Sequence, residues 1–68
     1  MTKKERQAIA DAIYITRRGI SQRTENALVR VAADVALDLA TQELIASLNI
    51  HGDTRRAFIA ACATGIER

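Results

Sequence analysis

The chain has 68 residues, of which 49% are hydrophobic, with one cysteine and neither proline nor tryptophan. This length allows one domain, residues 1–68, with a marginal core, because a chain of this size buries only about 60% of the surface that its unfolded form exposes. A single cysteine excludes an internal disulfide, and Cys62 with His51 provides too few ligands for a structural zinc. We therefore expect self-association to supply the missing stability.

The net charge of +2 is too small to indicate a nucleic-acid-binding protein, but the charges are unevenly distributed. Residues 1–30 carry seven basic and three acidic side chains, whereas residues 31–50 carry three acidic and no basic ones. No secretion signal is recognisable, and the longest uncharged apolar run, Ala57–Ala63, is too short to cross a bilayer. With one free thiol, the composition predicts a reduced, cytoplasmic protein that does not enter a membrane.

The first predicted helix begins at a capping box, in which Thr2 and Glu5 each satisfy a free backbone N–H. We expect it to end at Arg18, because basic residues suit the negative end of the helix dipole and Gly19 suits a left-handed position after the helix. The β-branched and aromatic segment 13–16 is also compatible with a strand. The helix signals on both sides of that segment favour the helix.

A long second helix is predicted from about residue 22 to residue 49. Its polar positions recur at helical spacing and form one stripe, at Arg30, Asp34, Asp38 and Thr41. The other positions are almost all apolar and cover an arc of more than about 200°, much wider than the core-facing stripe of a surface helix. The other two helices are too short to cover both sides, so we expect a partner subunit. The residues predicted for this dimer interface are Leu28, Val29, Ala32, Val35, Ala36 and Leu39.

A third helix is predicted after a break at residues 49–52. Asp53 is its expected N-cap, and the helix should run from Thr54 to about Thr64. The residues expected to face inward are Phe58, Ile59, Ala61 and Cys62. The fold class is therefore all-α, with two to three helices that pack as a homodimeric helical bundle.

Few residues suggest catalysis. Asp34 and Asp38 are spaced to face the same way, but an acid–base pair also needs a pocket that separates the two pKa values. We interpret them as a solvated face with an i,i+4 ion pair between Arg30 and Asp34, or as a contact for a basic partner surface. Cys62 is interpreted as a buried small hydrophobe rather than a nucleophile for His51. The sequence thus predicts no catalytic site, metal, cofactor or small-molecule substrate.

The short junctions between helices are also typical of a DNA-binding helix-turn-helix. That motif needs a small residue four positions before the turn glycine, where this chain has the bulky Leu48 and Ile15. Arg55 and Arg56 could bind phosphates, but the residues that follow them cannot read base edges. Sequence-specific DNA binding is therefore disfavoured.

The basic side of the first helix raises a different prospect. Tyr14, Arg17 and Arg18 lie on one side of that helix, together with Lys3 and Gln7. One aromatic ring among basic side chains could stack an RNA base while the cations hold phosphates. Tyrosine and arginine are also the residues most enriched at protein–protein hot spots, so a protein contact is the competing interpretation.

The first 16 residues share a pattern with a known family at Met1, Thr2, Lys3, Glu5, Ala8, Ala12 and Ile15. In these residues the segment resembles Rop, a family of plasmid RNA-binding proteins. Tyr14 stands where that family has the aromatic residue that stacks on RNA. The resemblance implies a dimeric helical hairpin that forms a four-helix bundle and binds RNA.

The layout of the whole chain carries a second resemblance. A basic first helix ends in Arg17-Arg18-Gly19-Ile20, a largely apolar segment covers residues 26–34, and His51-Gly52-Asp53 precedes a short alanine-rich helix. In this layout the chain resembles the small anti-quorum-sensing, or anti-activator, proteins of temperate bacteriophages. The resemblance implies a dimeric helical protein that binds a quorum-sensing transcription factor of the host and blocks it.

Together these features predict a small, non-enzymatic, cytoplasmic homodimer that associates with a host regulatory protein and inhibits it. RNA binding through the basic face of the first helix is the alternative. The residues expected to contact the partner are Tyr14, Arg17, Arg18, Arg30, Asp34 and Asp38.

Overall fold

The computed structural model describes residues 1–65, and three helices account for most of them. Helix α1 spans Lys3–Arg23, α2 spans Ala27–Leu48 and α3 spans Gly52–Thr64. None of the described residues forms a strand, and segment 13–16 lies inside α1, so the strand interpretation is wrong. The all-α class and the third helix are confirmed, while the pairing of two protomers stays a prediction.

Helix α1 begins at the predicted capping box. The Glu5 backbone N–H donates to the Thr2 hydroxyl at 3.1 Å, and the Thr2 backbone N–H donates to a Glu5 carboxylate oxygen at 3.2 Å. Hydrogen bonds from the Thr2 backbone and side chain lower the pKa of Glu5 below its ordinary value, since they stabilise the charged form. Residues three positions apart therefore fix this helix start without help from the rest of the fold.

The end of α1 differs from the expectation. The helix continues through Gly19 and ends at Arg23, so the predicted end at Arg18 is wrong. In the described part of the chain the glycines with a positive φ are Gly52 and Gly65, and Gly19 has no left-handed conformation. Gly19 is thus an interior helix residue rather than a helix terminator.

A side-chain cap decides where the chain turns from α1 into α2. Asn26 accepts hydrogen bonds from the backbone N–H groups of Leu28 and Val29, at 2.9 and 3.3 Å. These N–H groups have no partner within their own helix, so the cap satisfies them. The central helix therefore begins at Ala27 rather than at about residue 22, and it ends at residue 48. Helices α1 and α2 are almost equal in length and form a hairpin joined by loop 24–26.

Helix α3 begins earlier than expected. Its first residue is Gly52, and His51 rather than Asp53 occupies the N-cap position. The φ angle of Gly52 is 61°, in the left-handed region that glycine adopts without steric cost. This conformation lets the chain leave α2 and enter α3 within the short segment 49–51.

The hydrophobic core lies where α1, the C-terminal part of α2 and α3 meet. Its buried residues are Ala10, Ile45, Ile50, Phe58 and Cys62. Burial of Phe58 and Cys62 confirms the predicted inner side of α3, but Ile59 is 39% exposed and its predicted inward position is wrong. We name this part of the molecule the packed end. The opposite part, formed by loop 24–26 and the adjoining turns of α1 and α2, is named the hairpin end.

Candidate functional site

One side of α2 is hydrophobic and open to solvent, and we name it the outer face of α2. Leu28 is 81% exposed, Val35 is 53% exposed and Leu39 is 59% exposed. The exposed hydrophobic residues of this face are Leu28, Val29, Val31, Ala32, Val35, Ala36 and Leu39. All six residues predicted for the dimer interface are therefore exposed in the protomer, and their covering by a second chain stays a prediction.

The opposite side of α2 explains why the outer face is uncovered. Thr41 and Ile45 are buried and Leu44 is half-buried, so α2 turns this side towards the core. The Thr41 hydroxyl donates to the Leu37 carbonyl at 2.7 Å, which satisfies a polar group in the interior. The placement of Thr41 on a solvated stripe is therefore wrong, because its end of the stripe faces the core. Within residues 1–65, the protomer covers one side of its central helix and leaves the outer face exposed.

The charged residues of the α2 stripe contact α1 and the loop rather than each other. Arg17 Nη2 donates to Asp38 Oδ1 at 2.5 Å, which joins the two helices of the hairpin. Arg30 donates to the backbone carbonyl of Thr24 through Nε, at 3.2 Å, and through Nη2. The predicted ion pair between Arg30 and Asp34 is not formed, since the carbonyl at the negative end of α1 holds the guanidinium.

Two charged residues of the predicted contact set are left free by the fold. Asp34 is exposed and makes no hydrogen bond or ion pair with any described residue. Arg18 is exposed on α1. These two side chains are the members of the set that a partner can reach without breaking a contact inside the protomer.

Tyr14, on α1, is half-buried against the C-terminal end of α3. A Cβ atom placed on Gly65 would lie 2.8 Å from the ring carbons Cδ1 and Cε1 of Tyr14, so the backbone of Gly65 rests against the ring. No side chain fits between them without displacing the ring. Because Arg17 is also engaged, with Asp38, the structure does not present Tyr14, Arg17 and Arg18 together as one free patch.

The thiol of Cys62 is buried in the core. Burial raises the pKa of Cys62, and the smaller opposite effect of the Arg17 guanidinium does not cancel it. A thiol that stays protonated is a poor nucleophile. His51 lies in the solvent at the start of α3. The burial confirms the interpretation of Cys62 as a small core hydrophobe.

Two grooves open at the packed end. A groove of about 340 Å³ lies between the N-terminal turns of α1 and α3, where Lys3, Arg6 and Asp53 surround an apolar floor. A second groove, of about 420 Å³, lies beside the turn between α2 and α3. Neither groove is lined by Asp34 or Asp38.

Sequence reasoning missed three residues that widen and extend the outer face of α2. Val31 is 61% exposed, and Gln42 and Ala46 are also exposed further along the helix. The signal that identifies Gln42 and Ala46 is a spacing that alternates between four and three residues from Leu28 onwards. Such a spacing is typical of the seam of a coiled coil.

Comparison of the chain with protein-family models, with curated proteins and with solved structures found no match. Within residues 1–65, no helix is long and apolar enough to cross a membrane. The same residues contain no group of three or more His, Cys, Asp or Glu side chains that could hold a metal ion.

Proposed function

We propose that this chain is a small non-enzymatic binding protein, which forms a homodimer and associates with a regulatory protein of its host to inhibit it. The outer face of α2 is the observation that carries the proposal. Leu28, Val35 and Leu39 are each more than half exposed and lie in one continuous row. Continuous exposed apolar surface typically marks a protein–protein contact.

Covering the outer face of α2 would supply stability that the protomer lacks. Complete burial of a leucine or valine side chain contributes roughly 1.5–3 kcal/mol. A single core in a chain of this length rarely supplies more than about 3–5 kcal/mol. Burial of even part of this face is therefore comparable to the whole stability expected of one protomer.

The charged side chains left free by the fold are the proposed contacts for the regulator. Asp34 is exposed on α2 and carries no partner among the described residues, and Arg18 is exposed on α1. An unpaired carboxylate suits the basic surface of a DNA-binding protein. The resemblance to phage anti-quorum-sensing proteins supports a quorum-sensing transcription factor as the target.

RNA binding by the basic face of α1 has less support. The ring of Tyr14 rests against Gly65, and the guanidinium of Arg17 pairs with Asp38. A stacking platform needs an open aromatic face, and phosphate binding needs free cations. The fold already uses two of the groups that this alternative requires, so we favour protein binding.

The homodimer is tested by placing a charge on the outer face. Leu39→Asp should raise the dissociation constant of the dimer by about a hundredfold or more, because it would bury an unpaired carboxylate. Ile15→Asp is the matched control, since Ile15 is 66% exposed on α1 and lies outside the proposed interface. Sedimentation equilibrium over a range of concentrations measures both. A wild-type protein that stays monomeric and folded at micromolar concentration would contradict the homodimer.

The target class is tested with a purified quorum-sensing transcription factor. Asp34→Lys should weaken its binding about tenfold, because repulsion replaces attraction at a basic surface. Glu25→Lys reverses a carboxylate in loop 24–26 and should leave the affinity unchanged. Titration calorimetry measures the affinity, and a gel shift measures whether the factor is released from its DNA. Absence of binding by the wild-type protein would reject this target class.

A further inference from the structure

We infer that the outer face of α2 is covered by α2 of a second copy in antiparallel orientation, about a two-fold axis that passes the outer face at the level of residue 37. This inference rests on the self-association in the proposed function and adds its orientation and register. The seam consists of Leu28, Ala32, Val35, Leu39, Gln42 and Ala46, all of which are exposed. Because the spacing alternates between four and three residues, the seam stays on one side of the helix, as a partner helix requires.

The sizes of the seam residues fit an antiparallel pair. With the axis at the level of residue 37, Leu28 of one chain lies opposite Ala46 of the other, Ala32 lies opposite Gln42, and Val35 lies opposite Leu39. The two-fold axis repeats each pairing, so each of the four outer layers combines a long side chain with an alanine, which fills the space between the helices evenly. The same seam in a parallel pair sets every residue against itself. Alanine layers with too little volume would then alternate with layers of two long side chains.

The charges beside the seam also favour the antiparallel pair. In a parallel pair, Asp38 of each chain lies next to Glu43 of the other, which gives two repulsive contacts. In the antiparallel pair, Glu43 lies next to the first turn of the partner helix, near its Val29. That turn contains no acidic residue of its own, and a carboxylate is favourable at the positive end of a helix dipole. The two helix dipoles also oppose each other in this arrangement.

Asp38 is the charged residue that the antiparallel pair brings nearest to its own copy. Both Asp38 carboxylates would lie near the two-fold axis, beside the seam. Each one is already paired with Arg17 of its own chain at 2.5 Å, so the charge that faces the axis is largely neutralised. The ion pair inside the hairpin thus removes the repulsion that this register would otherwise create.

Disulfide formation between single-cysteine variants tests the orientation. Leu28→Cys and Ala46→Cys are each prepared alone and then mixed under mild oxidation. Positions 28 and 46 lie about 27 Å apart along one helix, and a disulfide needs Cβ atoms within about 4.5 Å. We expect at least about tenfold more covalent dimer in the mixture than in either variant alone. Both positions are exposed, so neither substitution removes a core contact.

Two controls test whether Cys62 or unspecific collisions produce covalent dimer. The wild-type protein shows whether Cys62 reacts, and its burial predicts that it does not. A mixture of Ala8→Cys with Ala46→Cys places one thiol on the exposed side of α1 and should give no covalent dimer. Covalent dimer in the separate variants, rather than in their mixture, would show a parallel pair and overturn the inference. No covalent dimer in any sample would also overturn it.

The same samples separate this inference from the proposed function. A protein that is dimeric by sedimentation but shows the wrong disulfide pattern contradicts only the orientation. A monomer contradicts both the orientation and the homodimer. The expected disulfide pattern with no binding of a transcription factor contradicts only the proposed target.

Discussion

The packed end and the hairpin end of this molecule contain similar hydrophobic residues, which are buried at the packed end and exposed at the hairpin end. Ile45 at the packed end is 4% exposed, whereas Leu28, in the first turn of the same helix at the hairpin end, is 81% exposed. The difference lies in the neighbours and not in the residues. Residues of α1 and α3 pack in one core with Ile45, whereas the side chains on the other side of α2 are exposed to solvent.

This comparison shows how a small helical protein can bury a core and still keep a large apolar surface. In the described part of the chain, α1 and α3 pack against one side of the central helix and leave its other side exposed. A hydrophobic arc wider than the packed side must remain in solvent or meet another molecule. This surplus includes Leu28, Val29 and Val31, which are exposed in the first turns of α2 near the hairpin end.

The largest expected effect tests the packed end. Phe58→Ala removes a side chain that is 4% exposed and should destabilise the protein by about 3–5 kcal/mol, because the cavity cannot collapse fully. Ile59→Ala, at the next position on α3, removes a side chain that is 39% exposed and should cost less than about 1 kcal/mol. Urea denaturation followed by circular dichroism measures both. Equal losses for the two variants would show that Ile59 also belongs to the core.

The sequence predicted most reliably those features that depend on residues close to one another in the chain. The capping box of Thr2 and Glu5 needs only residues three positions apart, and the structure contains it. The burial of Phe58 and Cys62 follows from an apolar helix side opposite a charged one. The six predicted interface residues are exposed because the hydrophobic arc of α2 is wider than any one neighbour. Each of these features depends on a short-range pattern, and a single sequence is enough to show such a pattern.

The errors arose where two local signals competed or where a distant residue decided. Gly19 after two arginines is a typical signal for a helix end, and Asn26 is a strong N-cap signal for the next helix. In the structure the chain breaks between α1 and α2 at the Asn26 cap and not at Gly19. Arg30 was expected to pair with Asp34, yet the carbonyl of Thr24 holds it. The pair between Arg17 and Asp38 joins residues on two helices. Its formation depends on the register of the hairpin, which the position of the loop sets.

A smaller expected effect tests where the chain breaks between α1 and α2, which the sequence analysis placed at Gly19. Gly19→Ala should stabilise the protein by about 0.5–1 kcal/mol, since alanine favours a helix interior and its Cβ would meet no atom within 4 Å. A helix that ended at Gly19 in a left-handed conformation would instead be destabilised by about 1 kcal/mol. The sign of the change in melting temperature therefore distinguishes the two positions of the break.

The smallest expected effect tests the ion pair that joins the two helices of the hairpin. Asp38→Asn should cost about 0.2–1 kcal/mol, because the side chains of Arg17 and Asp38 are 25% and 61% exposed and water screens their attraction. Asp34→Asn is the matched control and should change stability little, since Asp34 has no partner among the described residues.

Both variants are measured in the Leu39→Asp background, where a dimer does not add to the apparent stability. The difference between them should shrink in 1 M salt, because the screening length falls to about 3 Å. A loss above about 2 kcal/mol, or one that salt leaves unchanged, would contradict a screened surface pair between the two helices of the hairpin.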